Sequence, residues 1–235
     1  MASQRVVLFD IDGTLISTPV TEESEGRRYV ESIRESIRDV AGKEPRVVTS
    51  RFAGMVDPQI CEILLTEMGL SKEKVDYFLP KVLARMGEVY HKMEKKVALN
   101  DGVLGILGII STSPGFVLGV LTGNLRAIAE EKLVLTGIRP YFSDLFCADH
   151  YYDRARLVED AVQTCLKKYE LSSRADVLII GDTPRDIAAA NAAKATSIGI
   201  ASGVFSTTQL REANASRVYQ SLEPTRELLR EIGVA

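Results

Sequence analysis

Histidine is scarce in this chain: His91 and His150 are the only two among 235 residues. A histidine-rich metal site or a Ser-His-Asp relay therefore has little raw material. Cysteine is equally thin. Cys61, Cys147 and Cys165 are odd in number and far apart, which fits neither a disulfide framework nor a thiolate metal cluster. Buried or indifferent thiols in a reducing compartment are expected instead. There is no charge excess either: the formal net charge of −3 offers no bulk electrostatic reason for a nucleic-acid partner. No stretch reaches 18 uninterrupted apolar residues, GVLGILGII (Gly102 to Ile110) coming nearest, and MASQR at the start lacks the apolar run of a signal peptide. A soluble cytoplasmic protein without a membrane partner is the expectation. Its chemistry falls to carboxylates.

What is present is a rhythm of strands and helices. RVVLF, residues 5–9, reads as a short, fully buried strand, an apolar β-branched and aromatic run without polar alternation. Further strands are expected at 116–121, 145–148, 176–180 and 196–200. Helical patterns fall between them at 103–111, 124–135, 156–169 and 186–193, and EPTRELLREIG closes the chain. Strands alternating with helices argue an α/β protein with a doubly wound parallel sheet.

The stretch from Pro19 to Met93 breaks this rhythm, showing helices without a convincing strand. Tyr29, Ile33, Ile37 and Val40 recur at helical spacing. Asp57 and Pro58 suit the N-cap and first position of a helix carrying Ile60, Ile63, Leu64 and Met68, with Gly69 placed to stop it. From Glu73 a further helix aligns Val75, Phe78, Leu79, Val82, Leu83, Met86 and Tyr90. The expected division is an α/β core of residues 1–18 and 95–235, interrupted by an α-helical insert at 19–94.

Ligands of doubly wound sheets gather beyond the carboxyl ends of the strands, so the residues that follow each strand matter most. The first strand ends in Asp10 and Asp12, the next in Thr122, Gly123 and Asn124, and residues 176–180 in GDTPRD, which holds Asp182 and Asp186. Residues two apart on an extended chain share a side, so Asp10 and Asp12 can face one site, and Gly13 permits a close turn. Carboxylates gathered this way repel unless a cation sits among them, and a hard divalent ion such as Mg²⁺ suits oxygen ligands and can bridge to a phosphate. One aspartate could then attack phosphorus while another moves protons. Thr122 and the N–H groups of Gly123 and Asn124, at an expected helix start, would hold the anion.

DIDGTL, LTGN and GDTPRD, each after an expected strand, resemble the haloacid dehalogenase-like superfamily, specifically its phosphatase branch with a small helical cap. The resemblance spans nearly the whole chain and implies a Rossmann-like core with the insert as cap. By it, Asp10 is the nucleophile that forms an aspartyl-phosphate, and Asp12 is the general acid and then base. Asp10, the main-chain carbonyl of Asp12, and Asp182 would bind Mg²⁺, with Asp186 supporting the metal, and Thr122 would bind the phosphoryl group. The second aspartate, absent from dehalogenating members, favours phosphoryl transfer.

The family's usual lysine before the last motif is missing. Arg154 fills the cationic role in this reading, Arg156 competes with it, and Lys167 or Lys168 is the remaining option. In the insert, Val56 replaces a hydroxyl residue common in relatives, leaving substrate contacts to Arg51, Met55 or Asp57, and Arg51 and Arg46 could meet a second anionic group. Lys194 stands where relatives favour glycine. The implied activity is phosphomonoester hydrolysis on a small phosphorylated metabolite, phosphoglycolate being the first guess, by a monomer or homodimer. The alternatives are a phosphomutase of the β-phosphoglucomutase type and a phosphoanion-binding protein without turnover.

Overall fold

The computed structural model describes residues 4–18, 25–93 and 97–234. Six strands form one sheet: β1 (Arg5–Phe9), β2 (Phe116–Leu121), β3 (Asp144–Phe146), β4 (Val177–Gly181), β5 (Thr196–Ile200) and β6 (Arg217–Tyr219). Every neighbouring pair is parallel, in the order β3-β2-β1-β4-β5-β6. β1 is therefore central, and the winding reverses on either side of it, which opens a crevice at the carboxyl end of the sheet. The doubly wound α/β expectation holds. Two expected strands shift by a residue or two, and β6, short and partly exposed, has no counterpart among the expected strands.

Strand alternation divides the core between two faces. Val7 and Phe9 point to one side, joined by Leu118, Val120, Leu178, Ile180, Ile198 and Ile200. That side is covered by α5 (Val103–Thr112), α6 (Arg126–Leu135) and α10 (Arg226–Ile232), through residues such as Ile106, Leu133 and Leu228. Val6 and Leu8 point the other way with Val177 and Ile179, under α7 (Arg154–Lys168) and α8 (Pro184–Ala192). α9 (Thr207–Glu212) packs beside β5 and β6. After α8 the chain turns through Lys194 at φ +58°, so the lysine does occupy the left-handed region where glycine is favoured. The strain there is of order 1 kcal/mol.

The helical segment after β1 comprises α1 (Glu25–Ala41), α2 (Thr49–Phe52), α3 (Asp57–Glu67) and α4 (Lys72–Lys92). Its apolar stripes meet one another: Ile33 and Ile37 of α1 and Ile60, Leu64 and Leu65 of α3 close on Val75, Leu79, Val82, Met86 and Tyr90 of α4. Leu125 and Ile128 join this cluster from the sheet side. Asp57 is the first residue of α3 instead of its N-cap, a place taken by Val56, because the Asp57 side chain is engaged elsewhere. Gly69 turns the chain at φ +79° just beyond α3, as its placement implied.

The chain leaves the sheet through Thr14 and rejoins it near Leu99, and the two crossings are stitched together. Asn100 Nδ2 donates to the carbonyls of Gly13 at 2.8 Å and Thr14 at 2.9 Å. Ser17 N donates to Ala98 O, and Asn100 N to Leu15 O. Residues 19–24 and 94–96, where the expected boundaries of the insert fall, lie outside the described residues. No helix among the described residues is long and apolar enough to cross a membrane.

Candidate active site

The register sets the site. Phe9 pairs with Val120 of β2 and Ile180 of β4, so the residues just beyond these pairs, Asp10, Thr122 and Asp182, emerge at nearly one level. All three are buried and line one cavity with Asp12, Gly123, Asn124, Arg154 and Thr183. The first and third motifs thus converge as the spacing implied.

Asp10, Asp182 and Asp186 bring carboxylate oxygens within 4.8 Å of one another. Arg154, the first residue of α7, reaches into the group. Its Nη2 donates to Asp10 Oδ1 at 2.9 Å, Asp186 Oδ1 at 2.6 Å and the Leu121 carbonyl at 3.3 Å. Its Nε is buried without a hydrogen-bond partner among the described residues. Arg156 lies on the exposed side of the same helix, paired with Asp160. Lys167 is exposed and Lys168 pairs with Asp144, so Arg154 alone among the four candidates enters the cavity.

Thr183 caps α8 in a reciprocal box. Its N–H and hydroxyl donate to Asp186 Oδ2 at 3.1 and 2.7 Å, and its oxygen accepts from Asp186 N. Asp186 therefore braces Arg154 with one oxygen and the helix start with the other. Asp182 is closely cradled. A Cβ added at Gly13, where φ is +86°, would lie 2.2 Å from its Oδ2, and one added at Gly203 would lie 1.7 Å away. Thr14 Oγ1 donates to its Oδ1 at 3.4 Å.

Three buried carboxylates share a single guanidinium, and the electrostatics show the deficit. Burial, opposed by Arg154 but aided by Asp186 and Asp12, pushes the Asp10 carboxyl up to about 7. Burial and then the charges of Asp186 and Asp10 raise Asp182 well above the usual carboxylate range. Burial disfavours the Arg154 cation, but Asp186 and Asp10 outweigh it and hold the guanidinium protonated. Fully ionised, the three carboxylates would carry two more negative charges than Arg154 offsets, and this all-oxygen donor set with small residues packed against it fits a hard divalent cation.

Asp12 departs from the group. Lys132, in the middle of α6 and fully buried, donates to both its carboxylate oxygens at 2.7 and 2.8 Å and to Asn124 Oδ1 at 3.0 Å. The Lys132 ammonium also lies 5.0 Å from the ring centre of Tyr29 and 5.8 Å from that of Tyr90. Sequence reading missed Lys132. The available signal was its place four residues after Ile128, on the apolar stripe of an otherwise ordinary amphipathic helix.

The expected anion cradle needs correction. α6 begins at Arg126, two residues after Asn124. The Asn124 N–H is already taken by Thr122 Oγ1 at 3.2 Å, the Leu125 N–H donates to Asp57 Oδ2 at 2.8 Å, and the Arg126 N–H donates to Asp149. The Asn124 side chain holds Lys132. Thr122, Gly123 and Asn124 all line the cavity, but the Asn124 N–H and side-chain oxygen are engaged within the protein.

The expected specificity residues divide. Met55 lines the cavity, and its carbonyl packs so closely on Gly123 that a Cβ there would approach to 2.2 Å. Arg51 turns away to Glu67 at 2.6 Å and stacks on Phe52, while Arg46 is exposed; neither lines the cavity. Asp57 is a tie instead of a substrate contact. Its Oδ1 accepts from the Tyr29 hydroxyl at 2.5 Å, its Oδ2 from Leu125 N, and its own N–H donates to the Gly123 carbonyl at 2.8 Å.

Burial, against the hydrogen bonds from Tyr29 and Leu125, raises the Asp57 carboxyl from 3.8 to about 6. The fold thus favours the protonated form. This contribution to stability is full below about pH 4 and is lost as pH rises through about 6, an effect of order 3 kcal/mol. Asp57→Asn keeps an acceptor for Leu125 and cannot ionise. Denaturant midpoints followed from pH 4 to 7 should fall less steeply for the variant than for the wild type, and parallel profiles would contradict this role.

The comparisons with known proteins agree with this geometry. A sequence model of the haloacid dehalogenase-like hydrolases matches residues 7–200. The phosphoglycolate phosphatase of Vibrio cholerae is 24% identical over 212 residues, covering 86% of this chain and 87% of its own. A proposed pyrophosphatase, PpaX of Caldanaerobacter subterraneus, is 28% identical over 197 residues, covering 83% and 80%. A crystal structure of a hydrolase from Pseudomonas syringae superposes with a TM-score of 0.72 at 21% identity, over 98% of this chain and all of that one, which speaks for the fold alone. With the motif aspartates and Thr122 at adjoining strand ends, the chain belongs to the haloacid dehalogenase-like hydrolase family.

Proposed function

We propose that this enzyme is a Mg²⁺-dependent phosphomonoesterase that hydrolyses a small phosphorylated metabolite through an aspartyl-phosphate on Asp10. The observation that supports it most is the placement of the buried Asp10 carboxylate on Arg154 Nη2, beside Asp182 and Asp186, in the cavity that Asp12 also lines.

In this reading Asp10, Asp182 and the Asp12 carbonyl would hold the metal with Asp186 in support, and such an ion would supply positive charge against these carboxylates and the phosphoryl oxygens. The free Asp10 oxygen attacks phosphorus as the bond from phosphorus to the ester oxygen breaks, and Asp12 gives its proton to that departing oxygen. A water then attacks the aspartyl-phosphate, passes a proton to Asp12, and releases inorganic phosphate as the bond to Asp10 breaks. Thr122 and Arg154, which both line the cavity, are donors for the phosphoryl oxygens. Helices α1–α4, taken as the cap, exclude water from the transfer.

Lys132 is a positioning residue here, since it grips both Asp12 oxygens without lining the cavity. Lys132→Met should lower kcat about 100-fold by freeing the Asp12 carboxylate to rotate. The accompanying stability loss should be about 1–3 kcal/mol, modest for a buried ion pair because water can reach Asp12. Steady-state rates and urea titrations of one preparation check both parts.

Phosphate release that requires Mg²⁺ and stops with EDTA, across sugar, organic-acid and nucleotide monoesters, tests the proposal; silence across the panel would sink it. Phosphate released in ¹⁸O-water should carry the label, whereas a mutase would move the group within its substrate. A mutase also needs a second anion site facing the first, and no lysine or arginine lines the wall formed by α1–α3 among the described residues.

A further inference from the structure

Resting on the phosphomonoesterase reading, we infer that the alcohol portion of the substrate is apolar, a short branched alkyl or single-ring group with no second charge. The cavity changes character abruptly with distance from Asp10. Beyond the polar floor its wall is made by Val30 and Ile33 of α1, Phe52 of α2, Ile60 of α3, and Val47 and Met55 between these helices. Val30 and Ile33 lie three residues apart on one helix face and, like Phe52 and Ile60, are buried.

Two of the polar groups on that side are committed. The Tyr29 hydroxyl donates to Asp57, and the Thr183 hydroxyl to Asp186. The nearby cations are committed too. Arg51 pairs with Glu67, and Arg185 donates to the Ala53 carbonyl from outside the cavity. A carboxylate or second phosphate on the substrate would lose its water against this wall and gain no cationic partner among the described residues. An apolar group would lose nothing and would bury its own surface. Size limits the group as well: the cavity holds about 200 Å³, against the roughly 150 Å³ of an apolar cavity that takes up benzene, and the phosphoryl group occupies part of it.

The test compares isobutyl phosphate with phosphoglycolate and pyrophosphate, with Mg²⁺ and with EDTA. Isobutyl phosphate leaves as a primary alcohol, so a preference for it cannot come from a better leaving group than that of phosphoglycolate. Its kcat/KM should exceed that of either anionic substrate at least about tenfold. Val47→Arg should move the ratio of isobutyl phosphate to phosphoglycolate at least tenfold toward phosphoglycolate. Val204→Arg, at the exposed rim of the same cavity, should move it in the same direction if the first variant does not fold. EDTA-sensitive release that favours phosphoglycolate or pyrophosphate, or ratios that neither variant shifts, overturns the apolar assignment and leaves the phosphomonoesterase standing. Absence of EDTA-sensitive release from every monoester overturns the phosphomonoesterase reading, and this inference with it.

Discussion

Asp10→Asn is expected to abolish the phosphoenzyme and to lower kcat by about 10⁴-fold or more, with the protein still folded. The amide matches the carboxylate in shape and can still accept from Arg154 Nη2, which sits 2.9 Å from Oδ1 in the native protein. What it lacks is the ionised oxygen that must form the bond to phosphorus. Burial already pushes the Asp10 carboxyl up to about 7, so replacing it with a neutral group should not weaken the metal-free fold. Loss of activity without loss of stability is therefore the signature. An acid-quenched mixture with a phosphorylated substrate should contain a phosphorylated protein species for the wild type and none for the variant. Asp12→Asn should behave differently: it keeps the nucleophile but slows both departure of the leaving group and hydrolysis of the intermediate. Near-native rates in both variants would remove the roles given to these residues.

Arg154→Met should be costly twice over. The side chain is buried, and its Nη2 is shared by Asp10 and Asp186. Taking away one partner of a buried ion pair costs about 3–5 kcal/mol. The lower end applies here, because Asp10 can take up a proton near neutral pH once the guanidinium is gone. A shift of the urea midpoint reports this loss, and Mg²⁺ should recover part of it by stabilising the folded state it binds. Activity should fall about 10³-fold, since donors aimed at the phosphoryl group disappear along with the brace on Asp10. Arg154→Lys separates charge from shape. An ammonium restores the sign of the charge but not the planar fork that contacts two carboxylates and a carbonyl while presenting Nε elsewhere. It should regain much of the stability and little of the rate. A lysine variant as active as the wild type would mean that point charge alone is required.

The strands that build the site were legible because they are largely buried: β1, β2 and β5 were read to the residue from short segments rich in β-branched and apolar residues. Asp10, Asp12, Thr122 and Asp182 followed from their places after such strands. Contacts made across long separations were not legible. Asp57 reads locally as a helix cap before Pro58, but its oxygens are claimed by Tyr29 and by Leu125, 68 residues onward. That same contact helps move the start of α6 beyond Asn124. Lys132 stands on the apolar stripe of α6, but nothing near it in the sequence names its partners, Asp12 and Asn124, which only the fold sets against its ammonium. Arg154 could be picked as a candidate from its position, whereas its separation from Arg156 depends on which side of α7 faces the sheet.

The stitch at Asn100 has an evolutionary consequence. One amide side chain ties down the carbonyls of Gly13 and Thr14, where the chain departs, and its own main chain marks where it comes back. The strand register beneath is closed independently of whatever lies between. The intervening helices can therefore be lengthened, redrawn or exchanged between genes while the aspartates stay in place, so recognition of the alcohol and attack on phosphorus can change at separate rates. A transplanted segment would need to preserve little more than the joints at this seam and a surface to meet Gly123 and Leu125.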